Sequence, residues 1–173
     1  MAEARHREEG RREEERRGER RTEERRFDVP EVDDFTRPYW EAAAACRLLV
    51  RRCRAPGCGR AHHYPRAFCP RCWSTDVVWE EVSGRARLYT WSVVHVNDLP
   101  PFGTRLPYTA AVVDLDEGPR MTSEVVDCPE GRLRVGMPLV VAFREDVEAG
   151  ISVPVFRPAE RPVDGQGGAS ADG

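Results

Sequence analysis

The sequence predicts a mainly β fold: a short N-terminal helix, then a four-cysteine ribbon, then a five-stranded barrel of the OB type. Three observations carry this. Cys53, Cys58, Cys69 and Cys72 fall within twenty residues as two short-spaced pairs. Beyond them the chain runs as alternating strand patterns separated by Gly, Pro and Asp turns. The folded stretch is framed by two segments too polar or too small-residue-rich to bury a core, residues 1–26 and 159–173.

Residues 1–26 hold ten Arg against nine Glu and scarcely an apolar side chain, so a solvated, disordered tail is expected. No apolar segment of the signal-peptide kind lies there, which leads to the expectation of a cytoplasmic protein with reduced thiols. No stretch approaches the length of apolar chain that a membrane span needs. All 27 basic residues are arginine, which points to nucleotide composition more than to chemistry. Beyond residue 26, seventeen Arg face twenty-one Asp and Glu, the wrong sign for a domain that tracks phosphate backbones.

Residues 27–47 are read as the helical segment. Thr36 is a plausible N-cap and Pro38 suits the first turn. Tyr39, Trp40, Ala43, Ala44 and Arg47 then follow at helical spacing. Tyr39 and Trp40 are a large apolar load for so short an element. They either pack on the domain behind them or dock into a partner protein.

Residues 48–80 form the ribbon, with a strand over 48–52 and a return through Pro65-Arg66-Ala67-Phe68. Two cysteine pairs separated by ten residues bring four thiolates onto a tetrahedron around one zinc, at about 2.3 Å each. With every position held by sulfur, no metal-bound water is left to activate, so the zinc is structural. A redox dithiol of Cys69 and Cys72 would need a strand–helix alternation that is missing. The first pair is widened to a four-residue gap, which leaves His62 or His63 open as a substitute ligand. Cys46 and Cys128 have no partner by spacing and are read as packing residues.

Residues 81–158 form the barrel. Arg85 to Val96 alternates, with Tyr89, Trp91, Val93 and His95 on one face and Leu88, Thr90, Ser92, Val94 and Val96 on the other. Strands are expected over 108–115, 121–126, 139–144 and 153–156, with Pro154 marking an edge. Asp116-Glu117-Gly118-Pro119 closes a hairpin, and Gly136-Met137-Pro138 starts the fourth barrel strand. Five strands with a long first loop suit the Greek-key OB barrel.

In that setting several segments together resemble a known family. They are Arg37-Pro38-Tyr39-Trp40, the four cysteines with Tyr64-Pro65-Arg66 between them, the run from Leu88 to His95, the run from Leu106 to Gly118, and Arg134-Val135-Gly136. The family is the acyl-CoA-associated one, formerly a domain of unknown function (number thirty-five), with a rubredoxin-like zinc ribbon followed by an OB fold. The widened first knuckle is the departure. The resemblance implies a non-catalytic accessory subunit in lipid, steroid or polyketide metabolism. Such subunits assemble with thiolase-like acyltransferases, aldolases of the lipid-transfer type or hot-dog-fold enoyl-CoA hydratases, and the barrel helps bind the acyl-CoA.

The residues themselves agree that catalytic groups are scarce: there is no nucleophile elbow, no phosphate-cradling glycine loop on a strand and no His-Glu-x-x-His pair. For ligand contact, the loop from Asn97 to Pro107 offers Leu99, Phe102 and Leu106 to an apolar arm and Arg105 to a phosphate or carboxylate. Arg66, Trp91 and His95 are further candidates. Against them stand the plainer readings of Trp91 and His95 as barrel packing and of Arg105 as a solvated charge. The alternative function is a nucleic-acid-binding module, with Tyr89, Trp91 and Phe102 stacking on bases.

Overall fold

The computed structural model describes residues 29–99, 102–146 and 149–159; the expected tail at 1–26, and all but the first residue of the one at 159–173, lie outside them. Helix α1 spans Arg37–Ala44. Three short strands, β1 (Leu49–Cys53), β2 (Ala61–His62) and β3 (Val77–Glu81), form an antiparallel sheet in the order β2-β1-β3. Strands β4 (Arg85–Val94), β5 (Tyr108–Leu115), β6 (Arg120–Val125), β7 (Pro138–Asp146) and β8 (Ile151–Pro158) close into a barrel in the order β4-β5-β6-β8-β7. That circuit, with β6 and β8 meeting in parallel at Val125 and Phe156, is the OB arrangement.

Thr36 stands at the N-cap and Pro38 in the first turn, as expected, but the capping bond differs. Thr36 makes no side-chain cap bond. Asp33 does the work one turn earlier: its carboxylate accepts from the Thr36 amide and hydroxyl, both at 2.7 Å, while its own amide donates to the Thr36 hydroxyl at 3.2 Å. These bonds also hold the Asp33 carboxyl below its usual range. The buried positions are Ala42 and Ala43, whereas Ala44 is exposed. Two methyl-sized side chains let α1 lie close against β8, β1 and β7. Cys46 is also corrected: it is exposed, with φ +55°, in the turn that ends the helix.

One continuous core runs through both units. Leu48, Val50 and Ala61 of the ribbon cluster with Leu88, Val113, Met121, Leu139 and Phe156 of the barrel. Phe156 and Val113 are wholly excluded from solvent. Cys128 packs against this core from the side, as expected of a free thiol.

The expected alternation along β4 fails at its middle. A bulge between Leu88 and Thr90 inserts one residue against β5, and the pleat changes phase there. Leu88 is buried, Tyr89 and Thr90 both face out, and Trp91 turns inward against the core. Tyr89 and Trp91 therefore do not share an environment. The bulge lets one ten-residue strand bend far enough to pair with β5 along its length and with β7 at its start.

The edge reading of Pro154 is corrected as well, because β8 lies between β6 and β7 in a closed circuit. The Pro154 carbonyl faces β6 and accepts the Ser123 hydroxyl at 2.9 Å. Its ring nitrogen points the same way, toward the seam where β6 and β8 share a single ladder pair. The missing N–H thus removes no ladder bond.

The ribbon meets the barrel at Val82–Gly84. The Val82 amide donates to Leu48 and the Val141 amide to Gly84, at 3.0 and 2.8 Å. The β5–β6 turn clamps the same joint: Glu117 accepts the Ser83 amide at 2.7 Å, and Asp116 pairs with Arg85 at 3.0 Å.

Candidate metal centre and ligand surface

Cys53 ends β1, and the chain then makes a wide turn through Gly57 and Gly59, both at positive φ. Those two glycines supply the left-handed backbone that carries Cys58 back toward the strand. The second pair sits on a tighter knuckle, closed by Cys69 N–H to Ser74 O at 2.8 Å and Trp73 N–H to Cys69 O at 2.9 Å. Trp73 itself has φ +62° and is held by its stack on Phe68, with ring centroids 5.3 Å apart.

The turns bring all four sulfurs within 4.8 Å of one another. Cys53 and Cys72 approach to 3.6 Å, and Cys58 and Cys69 to 3.7 Å. A tetrahedron with Zn–S arms of about 2.3 Å has S···S edges of about 3.8 Å, so the sulfurs stand where one zinc requires them. The amides of Cys72 and Arg71 pull the Cys69 thiol down, favouring thiolate, while burial pushes Cys53 up. A bound dication reverses the burial effect by holding every sulfur as thiolate. The donor set is closed and sulfur-only, so the four cysteines form the site of one structural zinc.

Neither histidine takes a cysteine's place. His62 and His63 lie outside the sulfur cluster, and the nitrogens of both rings are buried without a hydrogen-bond partner among the described residues. Burial first, then Arg51 and Arg66, hold His62 below its usual pKa; burial alone pulls His63 down to about 4.

Tyr39 and Trp40 divide. Tyr39 packs against the core, 6.1 Å from both Trp79 and His63, and burial pushes its hydroxyl up to about 12. Trp40 stands edge-on to it at 5.0 Å, half-buried. Sequence reasoning missed Trp79, whose ring lies 4.9 Å from the guanidinium of the buried Arg51, with the Phe35 ring at 5.3 Å. An arginine buried against aromatic rings leaves no periodic trace in the sequence.

The loop between β4 and β5 carries a short 3₁₀ turn over Phe102–Arg105. Asn97 anchors it, donating to the Tyr108 hydroxyl at 3.0 Å and accepting the Leu99 amide at 3.1 Å. Arg105 is not a solvated charge. Its guanidinium lies 5.0 Å from the Phe102 ring and 6.0 Å from Tyr108, and its Nε is buried without a partner among the described residues. The structure therefore brings Phe102 and Arg105 together and adds Tyr108. Trp91 points into the core, His95 lies exposed just past β4, and Arg66 lies in a separate cleft against the ribbon.

Residues 40–78 match the family described as "ChsH2, rubredoxin-like zinc ribbon domain", and residues 79–144 match "ChsH2, C-terminal OB-fold domain". A "DUF35 domain-containing scaffold protein" of Methanocaldococcus jannaschii is 36% identical over 104 residues, covering 60% of this chain and 72% of that protein. The chain belongs to the ChsH2/DUF35 family. A solved chain titled "Ltp2-ChsH2(DUF35) aldolase" superposes with a TM-score of 0.64 at 35% identity, covering 75% of this chain and 98% of that one. A "Probable enoyl-CoA hydratase alpha subunit" of Thermomonospora curvata is 36% identical over 121 residues, 70% of this chain. The chain spans only 36% of that hydratase subunit's length. Family members are thus associated both with a hydratase and with the Ltp2 aldolase. Among the described residues, no helix is long and apolar enough to cross a membrane.

Proposed function

We propose that this protein is a non-catalytic accessory subunit that assembles with a thiolase-like acyltransferase or aldolase, or with an enoyl-CoA hydratase, and helps bind the acyl-CoA. The observation that carries this reading is the match to nearly the whole of the DUF35 chain titled as part of the Ltp2-ChsH2 aldolase. Two features of the chain support it. The sulfur-only metal site offers no open position for substrate, so the zinc's role is to hold the ribbon together. The 3₁₀ turn presents Phe102, with Leu99 exposed beside it, as an apolar surface at the barrel mouth, where OB folds bind their ligands.

Trp40 on the helix and Phe102 and Arg105 on the loop are the residues we assign to partner and acyl-CoA respectively. The test is native mass spectrometry of the protein affinity-purified from its own host. The reading expects one zinc per chain and a co-purifying thiolase-like or hydratase-like subunit. Recovery of the zinc-loaded chain alone, or with nucleic acid, overturns it.

A further inference from the structure

A second cleft lies away from the β4–β5 loop, between the ribbon and the β5–β6 hairpin. It measures about 520 Å³, and its polar lining includes Arg60, His62, His63, Arg66, Asp114 and Arg120. The ribbon supplies the first four and the barrel the last two.

Its charge runs against that of the chain as a whole, which is net −3. Asp114 and Arg120 neutralise each other through two bonds of 2.6 and 3.0 Å. Arg60 and Arg66 have no carboxylate partner among the described residues, so two uncompensated guanidinium groups face one cleft. Between them in sequence stand the two histidines. His62 is only 8% exposed, and the ring nitrogens of both residues are buried and unpartnered among the described residues. A buried polar group left without a partner costs about 1–3 kcal/mol. Each neutral ring has one N–H donor, and none of the described residues accepts it.

We infer that this cleft is an anion site that takes a phosphoryl group on Arg60, Arg66 and the rings of His62 and His63. A phosphoryl group offers three acceptor oxygens, enough for a guanidinium fork on one side and imidazole N–H donors on another. A carboxylate holds its two oxygens in one plane and meets donors converging from several sides less well. The neutral imidazoles donate without adding charge that the neighbouring arginines would repel.

The position relates this cleft to the ligand loop. Asp114, at the cleft, and Tyr108, at the loop, lie six residues apart on β5, roughly 20 Å at the rise of a strand. A ligand with phosphates at one end and a long arm ending in an acyl group at the other, such as an acyl-CoA, reaches both. That identification rests on the function proposed above; the anion site itself does not.

Isothermal titration of the full zinc-loaded chain with three probes tests the site: adenosine 3′,5′-bisphosphate, inorganic pyrophosphate and phosphate-free pantetheine. Both phosphate probes should saturate a single site, and pantetheine should give no heat. Arg60→Gln and Arg66→Gln should each weaken binding about tenfold, the factor equal to roughly 1.4 kcal/mol. His62 is buried and a substitution there risks the ribbon, so its part is read without mutation. Bisphosphate should shift the ring resonances of His62 and His63 in the wild-type protein. Tighter binding of the bisphosphate than of pyrophosphate upholds the site and assigns it the nucleotide end of CoA; equal binding upholds it as a general phosphate site. Absence of saturable binding by either phosphate, unchanged affinity in both arginine variants, or unmoved histidine signals overturns it. Co-purification of an enzyme partner is indifferent to all of these results, so loss of the site leaves the accessory role standing.

Discussion

Replacing Gly84 by Ala tests the joint on which the ribbon and the barrel share a core. Gly84 has φ +71°, and a Cβ added there would stand 2.3 Å from Val141 Cγ1 and 3.2 Å from its Cβ. The left-handed backbone costs an L-residue roughly 1–2 kcal/mol. Forcing a methyl into occupied space costs about 1–3 kcal/mol more. Val141 has little freedom to retreat, since it packs against the core and its amide bonds the Gly84 carbonyl at 2.8 Å. The variant should lose about 2–5 kcal/mol, a large share of a typical domain's stability, with a melting temperature lowered by on the order of 10 °C. Urea unfolding of Gly84→Ala, Val141→Ala and the double variant separates the two costs. Deleting Cγ1 removes the nearer clash, so the double variant should be at least about 1 kcal/mol more stable than the sum of the single effects predicts. A Gly84→Ala protein within about 0.5 kcal/mol of wild type, or an additive cycle, would refute the reasoning.

Cys69→Ser should lower bound zinc below one equivalent by metal analysis and remove hydrogen-exchange protection across the ribbon, because a thiolate is lost from a closed site; full zinc occupancy would count against the ligand set. The Asp114 carboxyl is held below its usual range by its hydrogen bond from Arg120, so its contribution is present above the ordinary carboxylate pKa and vanishes as pH falls through the lowered value. Asp114→Asn should therefore cost no more than about 1 kcal/mol at neutral pH, the pair being well exposed. Paired urea titrations should show the two proteins converging in acid; a gap that widens as pH falls contradicts the assignment. Arg105→Ala should weaken acyl-CoA binding or turnover in the assembled complex while circular dichroism stays unchanged, and unaltered kinetics would remove Arg105 from the ligand surface.

The zinc site was legible because ligand chemistry is local: four cysteines in twenty residues have few other uses in a reduced chain. The barrel was legible for a similar reason, since alternation and turn residues mark each strand where it stands. The ends of those strands were less so. β7 and β8 run past their expected limits, to Asp146 and Pro158, because the antiparallel pairing of the two strands continues there whatever the local pattern. The helix start was legible at Thr36, but not that the Thr36 side chain makes no cap bond and is instead held by Asp33, because that exchange depends on the turn that precedes the helix.

Other assignments waited on tertiary contact. Residue order says that Trp91 follows Tyr89 by two, which places them on one face of a regular strand; only the pairing of β4 with β5 introduces the bulge that separates them. Arg105 reads as a loop charge until Phe102 and Tyr108 are folded against it. Arg60 and Arg66 line one cleft with Asp114 and Arg120 only because the ribbon is laid against a hairpin some fifty residues away in sequence. By itself the sequence determined the metal, the order of the strands and the family, each encoded in short-range spacing. The tertiary structure decided which side chains face one another across elements, because those meetings depend on twist, bulge and closure, and no local pattern records them.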